Sequence, residues 1–161
     1  MRVRVVCVAV ACWAIASVFY PLTAQTSRSV RDGVYTEDQA ERGSLLYNQH
    51  CSACHGADLS GGDEVPALRG DSFLANWSGL PLSELFERIR TSMPSDNPGK
   101  LNRQQNADIL AYVLKFDNYP AGSSELPTLT DALQQIRFEA SQTVTVRHHG
   151  LAVLCLIQAL Q

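Results

Sequence analysis

The chain is short of several things, and each shortage removes a class of function. Basic residues do not exceed acidic ones: 13 Lys and Arg stand against 16 Asp and Glu, a formal net charge of −3. Arg2 and Arg4 sit in a stretch expected to be removed, and subtracting those two positive charges takes −3 to −5. That balance argues mildly against nucleic acid or an anionic membrane surface as partner. No apolar run reaches the roughly 20 residues usually needed to span a bilayer; Val5 to Tyr20 stops at sixteen. Methionine occurs only as Met1 and Met93. Beyond Cys7 and Cys12 in the leader, one pair of cysteines and a lone Cys155 remain, so no second pair is available to complete a zinc site. The hydrophobic share of 45% is nevertheless ordinary for a globular chain, and 161 residues accommodate one domain rather than two.

What is present is organised around Cys51-Ser52-Ala53-Cys54-His55. A bare CxxC is ambiguous between a redox dithiol, half a zinc site and chance. The trailing histidine has a defined job only in the attachment signature of a c-type haem. Two thiols separated by two residues can add to the two vinyl groups of one porphyrin, and His55 can then ligate iron through an imidazole nitrogen. One haem c per chain, bound through Cys51 and Cys54, is therefore expected.

Residues 1–24 read as a signal peptide: a short positive region at Arg2 and Arg4, the apolar run, and Leu22-Thr23-Ala24 before a cut at Gln25. Export to a bacterial periplasm follows, either as a soluble protein or in association with a membrane redox complex. Cys7 and Cys12 belong to this leader and carry no chemistry. Residues 25–33 are polar and read as a flexible approach.

From Val34 the pattern turns helical. Thr36 and Gln39 read as a capping box opening a helix that runs to about His50, with Ala40, Gly43 and Tyr47 on its apolar face. Glycine on such a face lets another helix backbone come close. Gly56 to Gly70 is a loop wrapping the porphyrin edge, in which the Pro66 carbonyl can orient His55. Arg69 is a candidate partner for a haem propionate. Asp71 is expected to cap a short helix ending at Trp77, whose indole covers the porphyrin edge or meets a propionate. Leu82, Leu85, Phe86 and Ile89 form the stripe of the next helix, with Glu84 and Arg88 paired on its wet side. A last helix opens with Asn102 as cap and Gln105 reciprocating, and carries Ala107, Leu110, Ala111 and Leu114 inward.

Met93 lies in a loop stiffened by Pro94 and Pro98, outside any apolar stripe, so core packing is a poor explanation for it. A thioether is a soft, neutral ligand that favours ferrous iron relative to a second imidazole. His55 and Met93 are thus the expected metal ligands. His148 and His149, in the tail, compete for the second position, whereas His50 adjoins the motif and is badly placed to reach the opposite face.

On these residues the chain resembles a class I monohaem cytochrome c, an all-α fold of helices packed around one covalently attached haem. The resemblance covers about 34–122 and rests on Gly43 and Tyr47 ahead of Cys51, Cys54 and His55; on Pro66 to Gly70; on Met93-Pro94; and on Ile109 and Tyr112. It implies that Gly43 and Tyr47 cross the last helix at close range and that Pro66 supports the haem histidine. The stretches Met93 to Leu101 and Tyr119 to Gly122 are similar to cytochrome domains and subunits serving bacterial quinoprotein alcohol dehydrogenases. The function implied is single-electron transfer without a small-molecule substrate. Its partners would be redox proteins: a dehydrogenase, a respiratory complex, an oxidase or another cytochrome. The competing readings are a haem enzyme or gas/peroxide sensor with an open sixth site, and a structural or assembly subunit of a redox complex.

Residues 123–161 exceed a minimal cytochrome. They read as an extension dispensable for haem ligation, with a short helix near Asp131 to Ile136, a weak strand from Thr143 to Arg147, and an apolar run from Leu151. Cys155 has no assignable role.

Overall fold

The computed structural model describes residues 28–139. The leader, the Thr143–Arg147 strand, His148, His149 and Cys155 lie outside them. Helix α1 (Glu37–His50) begins where Thr36 accepts a hydrogen bond from the Gln39 amide, with Glu37 and Asp38 in its first turn facing the unpaired amides. Only half of the expected capping box forms. The Gln39 side chain is fully buried and instead holds Leu126, donating to its carbonyl at 3.2 Å and accepting from its amide at 2.6 Å. Helix α2 (Ser52–His55) is a single turn. Helix α3 (Gly70–Trp77) follows Arg69 as cap, with no side-chain cap bond, so Asp71 lies inside the first turn rather than ahead of it. Helix α4 (Leu82–Ser92) and helix α5 (Arg103–Phe116) follow, the latter opened by a reciprocal Asn102/Gln105 capping box.

The crossing of α1 and α5 is the frame of the molecule. Ala40 and Tyr47 from α1 and Ala107, Leu110, Ala111 and Leu114 from α5 are all fully buried. Gly43 sets their separation: a Cβ there would lie 1.8 Å from the Asp108 carbonyl oxygen. One turn on, the Tyr47 ring rests 5.3 Å from that of Tyr112. Beside this crossing, Arg42 grips Asp108 through two hydrogen bonds of 3.2 Å and reaches Glu125 at 2.8 Å. On α4 the expected Glu84–Arg88 partnership gives way to Glu87, which pairs with Arg90 and Arg103.

Order begins earlier and ends later than the sequence pattern indicates. Strand β1 (Arg28–Ser29) pairs in parallel with β2 (Ile136–Arg137), in the register Arg28 to Ile136 and Ser29 to Arg137. For residues 28–33 the flexible approach is therefore replaced by a strand and a capped turn that sinks Val30 into the core. Residues 123–139 likewise wrap back onto the bundle. Helix α6 (Thr130–Gln134) forms where a short helix was expected near 131–136, ending two residues earlier, and Leu126, Leu133, Ile136 and Phe138 are at most 1% exposed. The segment buries four large apolar side chains without a helical or strand period, which is why its pattern looked like a loose extension. Phe138 also pairs with the α3–α4 connection, accepting from Gly79 N at 2.7 Å and donating to Leu80 O at 2.9 Å.

Candidate haem site

Helix α1 ends at Cys51, whose amide donates to Tyr47 O, and the chain turns at once into α2, where the Cys54 and His55 amides both donate to Cys51 O. This tight turn brings both thiols and the imidazole to the rim of one cavity. Cys51 is half-buried, Cys54 exposed and His55 buried. Burial, with a smaller push from Cys54 and an opposing one from Lys100, raises the Cys51 thiol to about 11. A reactive thiolate needs the opposite shift, so Cys51 is poorly suited to thiolate chemistry.

His55 Nδ1 lies 3.0 Å from the Pro66 carbonyl oxygen. A carbonyl only accepts, so Nδ1 carries the proton and Nε2 is left as the ring's free donor of a lone pair. The loop that delivers Pro66 depends on Gly61. Its φ of +69° is left-handed, and a Cβ would lie 2.3 Å from Val65 O and 2.8 Å from the Pro66 carbonyl carbon. Gly61 N donates to His55 O at 2.9 Å, while Tyr47 Oη donates to Gly56 O at 2.6 Å, tying the loop to both α2 and α1. The Gly61-Gly62 pair marked a loop in the sequence, but nothing there showed that Gly61 aims the Pro66 carbonyl.

The cavity measures about 820 Å³ and is walled mainly by apolar side chains, among them Leu68, Phe73, Leu85, Ile89, Ile109 and Val113. Cys51, Cys54, His55, Pro66, Trp77 and Met93 all line it. Met93 arrives from a different element: it caps α4, its amide donating to Ile89 O at 2.9 Å. Trp77 is half-buried beside Phe73, and Phe73 meets Phe138 edge-on at 5.9 Å. Residue 138 of the extension thus backs a side chain of the cavity wall, which sets the expectation that the extension is dispensable for haem ligation against a direct contact.

Arg69 is the one predicted site residue that does not line this cavity. Its guanidinium lies over the Phe116 ring, 5.1 Å from the centroid, and donates to Asp58 O at 3.3 Å. The cations that do line it are Arg88 and Lys100. Sequence reasoning passed over both: Arg88 was assigned to a surface pair, and Lys100 follows a Pro-Gly turn with no signal of its own.

The residues fit a haem. A large apolar cavity, two thiols on a single turn, an imidazole with Nδ1 already committed, a thioether and two cations suit a flat apolar ring bearing vinyl groups, iron and two carboxylates. Among the described residues no group of three or more His, Cys, Asp and Glu could hold a bare metal ion. Nor is any helix there long and apolar enough to cross a membrane.

Fold and site together have the all-α architecture and the cavity of a class I cytochrome c domain. Residues 38–113, which include the CxxCH turn, Met93 and most of both crossing helices, match the family described as cytochrome c oxidase, cbb3-type, subunit III. The domain is accordingly one for haem-based electron transfer with covalently bound haem c. Among solved structures the chain is similar to the sulfane dehydrogenase SoxCD from Paracoccus pantotrophus, at 24% identity and a TM-score of 0.44. That likeness covers 55% of this chain and 52% of the other, about half of each, and carries no functional weight. No curated protein matches the chain.

Proposed function

We propose that this protein is a periplasmic single-electron carrier in which one haem c, attached through Cys51 and Cys54, is held axially by His55 and Met93. The observation that carries the reading is that His55, its Nδ1 bound to Pro66 O, and Met93, from the end of α4, line one apolar cavity. Bound haem iron supplies the one-electron couple. The chain supplies the rest: Pro66 engages Nδ1 and leaves Nε2 as the free ring nitrogen, the apolar wall excludes water, and Arg88 and Lys100 offer positive charge to the ring's carboxylates. With His55 and Met93 both as donors, bound haem would exchange an electron with little rearrangement and would offer no open position to a substrate. Its electron donor is then a redox protein such as a quinoprotein dehydrogenase or a respiratory complex, and its acceptor an oxidase or another cytochrome. Residues 1–24, read as a signal peptide, support export.

The test is the paired optical and magnetic spectrum of wild type and Met93→Ala. The variant should lose the methionine-to-ferric-iron charge-transfer band, have a lower potential, and bind exogenous imidazole, cyanide or carbon monoxide more readily. An unchanged low-spin spectrum with unchanged ligand affinity rejects the assignment and redirects it to His148 or His149.

A further inference from the structure

The loop that carries Met93 runs from residue 93 to residue 102, between the end of α4 and the start of α5. Its two ends meet on one side chain. Glu87, on α4, accepts through Oε2 from Arg90 Nε at 2.7 Å, three residues before Met93, with Arg90 Nη2 at 2.6 Å. Through Oε1 it faces Arg103 Nη2 at 3.5 Å, on the first residue of α5. The same oxygen accepts from Thr130 Oγ1 at 2.7 Å. Arg103 closes the cluster by donating to Thr130 Oγ1 and to Thr128 O, both at 2.7 Å, while its guanidinium rests 5.0 Å from the centre of the Phe86 ring. Arg90, Arg103 and Thr130 therefore lie on three successive elements and converge on one carboxylate, whose pKa is held below the usual glutamate range chiefly by the Arg90 hydrogen bond.

We propose that Glu87 is a positioning residue for Met93: it clamps the base of the methionine loop and anchors it to residues 128–130 of the extension. This rests on the reading of Met93 as the sixth ligand. The clamp does not touch the cavity, since Glu87 is not among its lining residues. It acts by limiting how far α4 and α5 separate at the mouth of the loop, and hence how often the thioether leaves its place. An exogenous ligand binds only the open form, so its apparent affinity reports the open fraction.

The experiment titrates imidazole into the ferric, haem-loaded full chain, alongside thermal unfolding of each sample. Glu87→Ala should strengthen imidazole binding by about two- to fivefold, the scale of a partly exposed ion pair. Thr130→Val, near-isosteric and mild, should act in the same direction by less and guards against loss of fold in the first variant. Arg42→Gln is the control: it breaks the Asp108–Glu125 cluster, which also ties the extension down but lies at the α1–α5 crossing. It should lower the melting temperature and leave imidazole affinity unchanged. If Glu87→Ala raises affinity no more than Arg42→Gln at a comparable loss of melting temperature, Glu87 is merely structural and the proposal falls. If Met93→Ala itself leaves spectrum and affinity unchanged, the ligand reading fails first and takes the clamp with it.

Discussion

Replacing Gly43 by alanine sets two opposed effects against each other, and the structure decides between them. In an isolated helix the change is favourable by about 1 kcal/mol, because alanine restricts the unfolded backbone and glycine does not. At this crossing the added Cβ would lie 1.8 Å from the Asp108 carbonyl oxygen, 2.4 Å from its carbon and 3.0 Å from Tyr112 Cβ. The first two are backbone atoms of α5 and cannot rotate away. Restoring an ordinary contact of about 3.5 Å requires the helices to part by roughly 1.7 Å. Overpacking of this kind costs about 1–3 kcal/mol where side chains can adjust, and more where they cannot. The net expectation is a loss of about 2 kcal/mol or more, or roughly 10 °C in melting temperature. The separation would also loosen the Tyr47–Tyr112 contact, and Tyr47 lines the cavity. Denaturant unfolding of the haem-loaded protein, followed by helical circular dichroism, measures the effect. Gly62→Ala is the internal control, because nothing lies within 4 Å of a Cβ there. A Gly43→Ala protein as stable as wild type would refute the crossing geometry on which the fold is built.

Two further outcomes follow from buried groups. A chain stopped at Gly122 should lose cooperative thermal unfolding and its low-spin spectrum, since Leu126, Leu133, Ile136 and Phe138 together bury about 6–12 kcal/mol of apolar surface, comparable with a whole domain's net stability; native-like melting of that truncation would show that 123–139 is an appendage after all. Burial raises the carboxyl pKa of Asp117 above the ordinary aspartate value despite the Gly70 amide it accepts from at 3.2 Å. Its native state therefore holds a proton more tightly than its unfolded state, and this group's contribution falls as pH rises from the ordinary aspartate pKa through the raised one. Asp117→Asn, which keeps an acceptor for Gly70, should be as stable as wild type or more so above that window and show a flatter pH dependence, measured as the difference between the two proteins' unfolding free energies from pH 4 to pH 7; a variant less stable at pH 7 than at pH 4, relative to wild type, would contradict this.

Much of the site was legible because its chemistry is local. Cys51, Cys54 and His55 share one turn, and a signature confined to five residues survives any tertiary arrangement. Gly43 could be read as a close-approach point because glycine on a buried helical face has few other uses. The Asn102/Gln105 box was legible for the same reason: both halves of the interaction lie within one turn. The placement of Arg69 was not legible, because an arginine beside a haem loop has several possible partners and the Phe116 face over which it lies is 47 residues away. Gln39 was misread likewise: it was assigned to its nearest backbone amide, while its true partner, Leu126, is 87 residues on.

The sequence by itself therefore determined the cofactor class, the helical frame and the candidate ligands, because covalent attachment, capping and periodicity are written over short distances. Only the tertiary structure decided that 28–33 and 123–139 belong to the core, that Arg88 and Lys100 rather than Arg69 line the cavity, and that Glu87 gathers both ends of the methionine loop. Those features depend on which surfaces remain uncovered once α1 and α5 have crossed, and burial of that kind is a property of the assembled bundle that no single segment records.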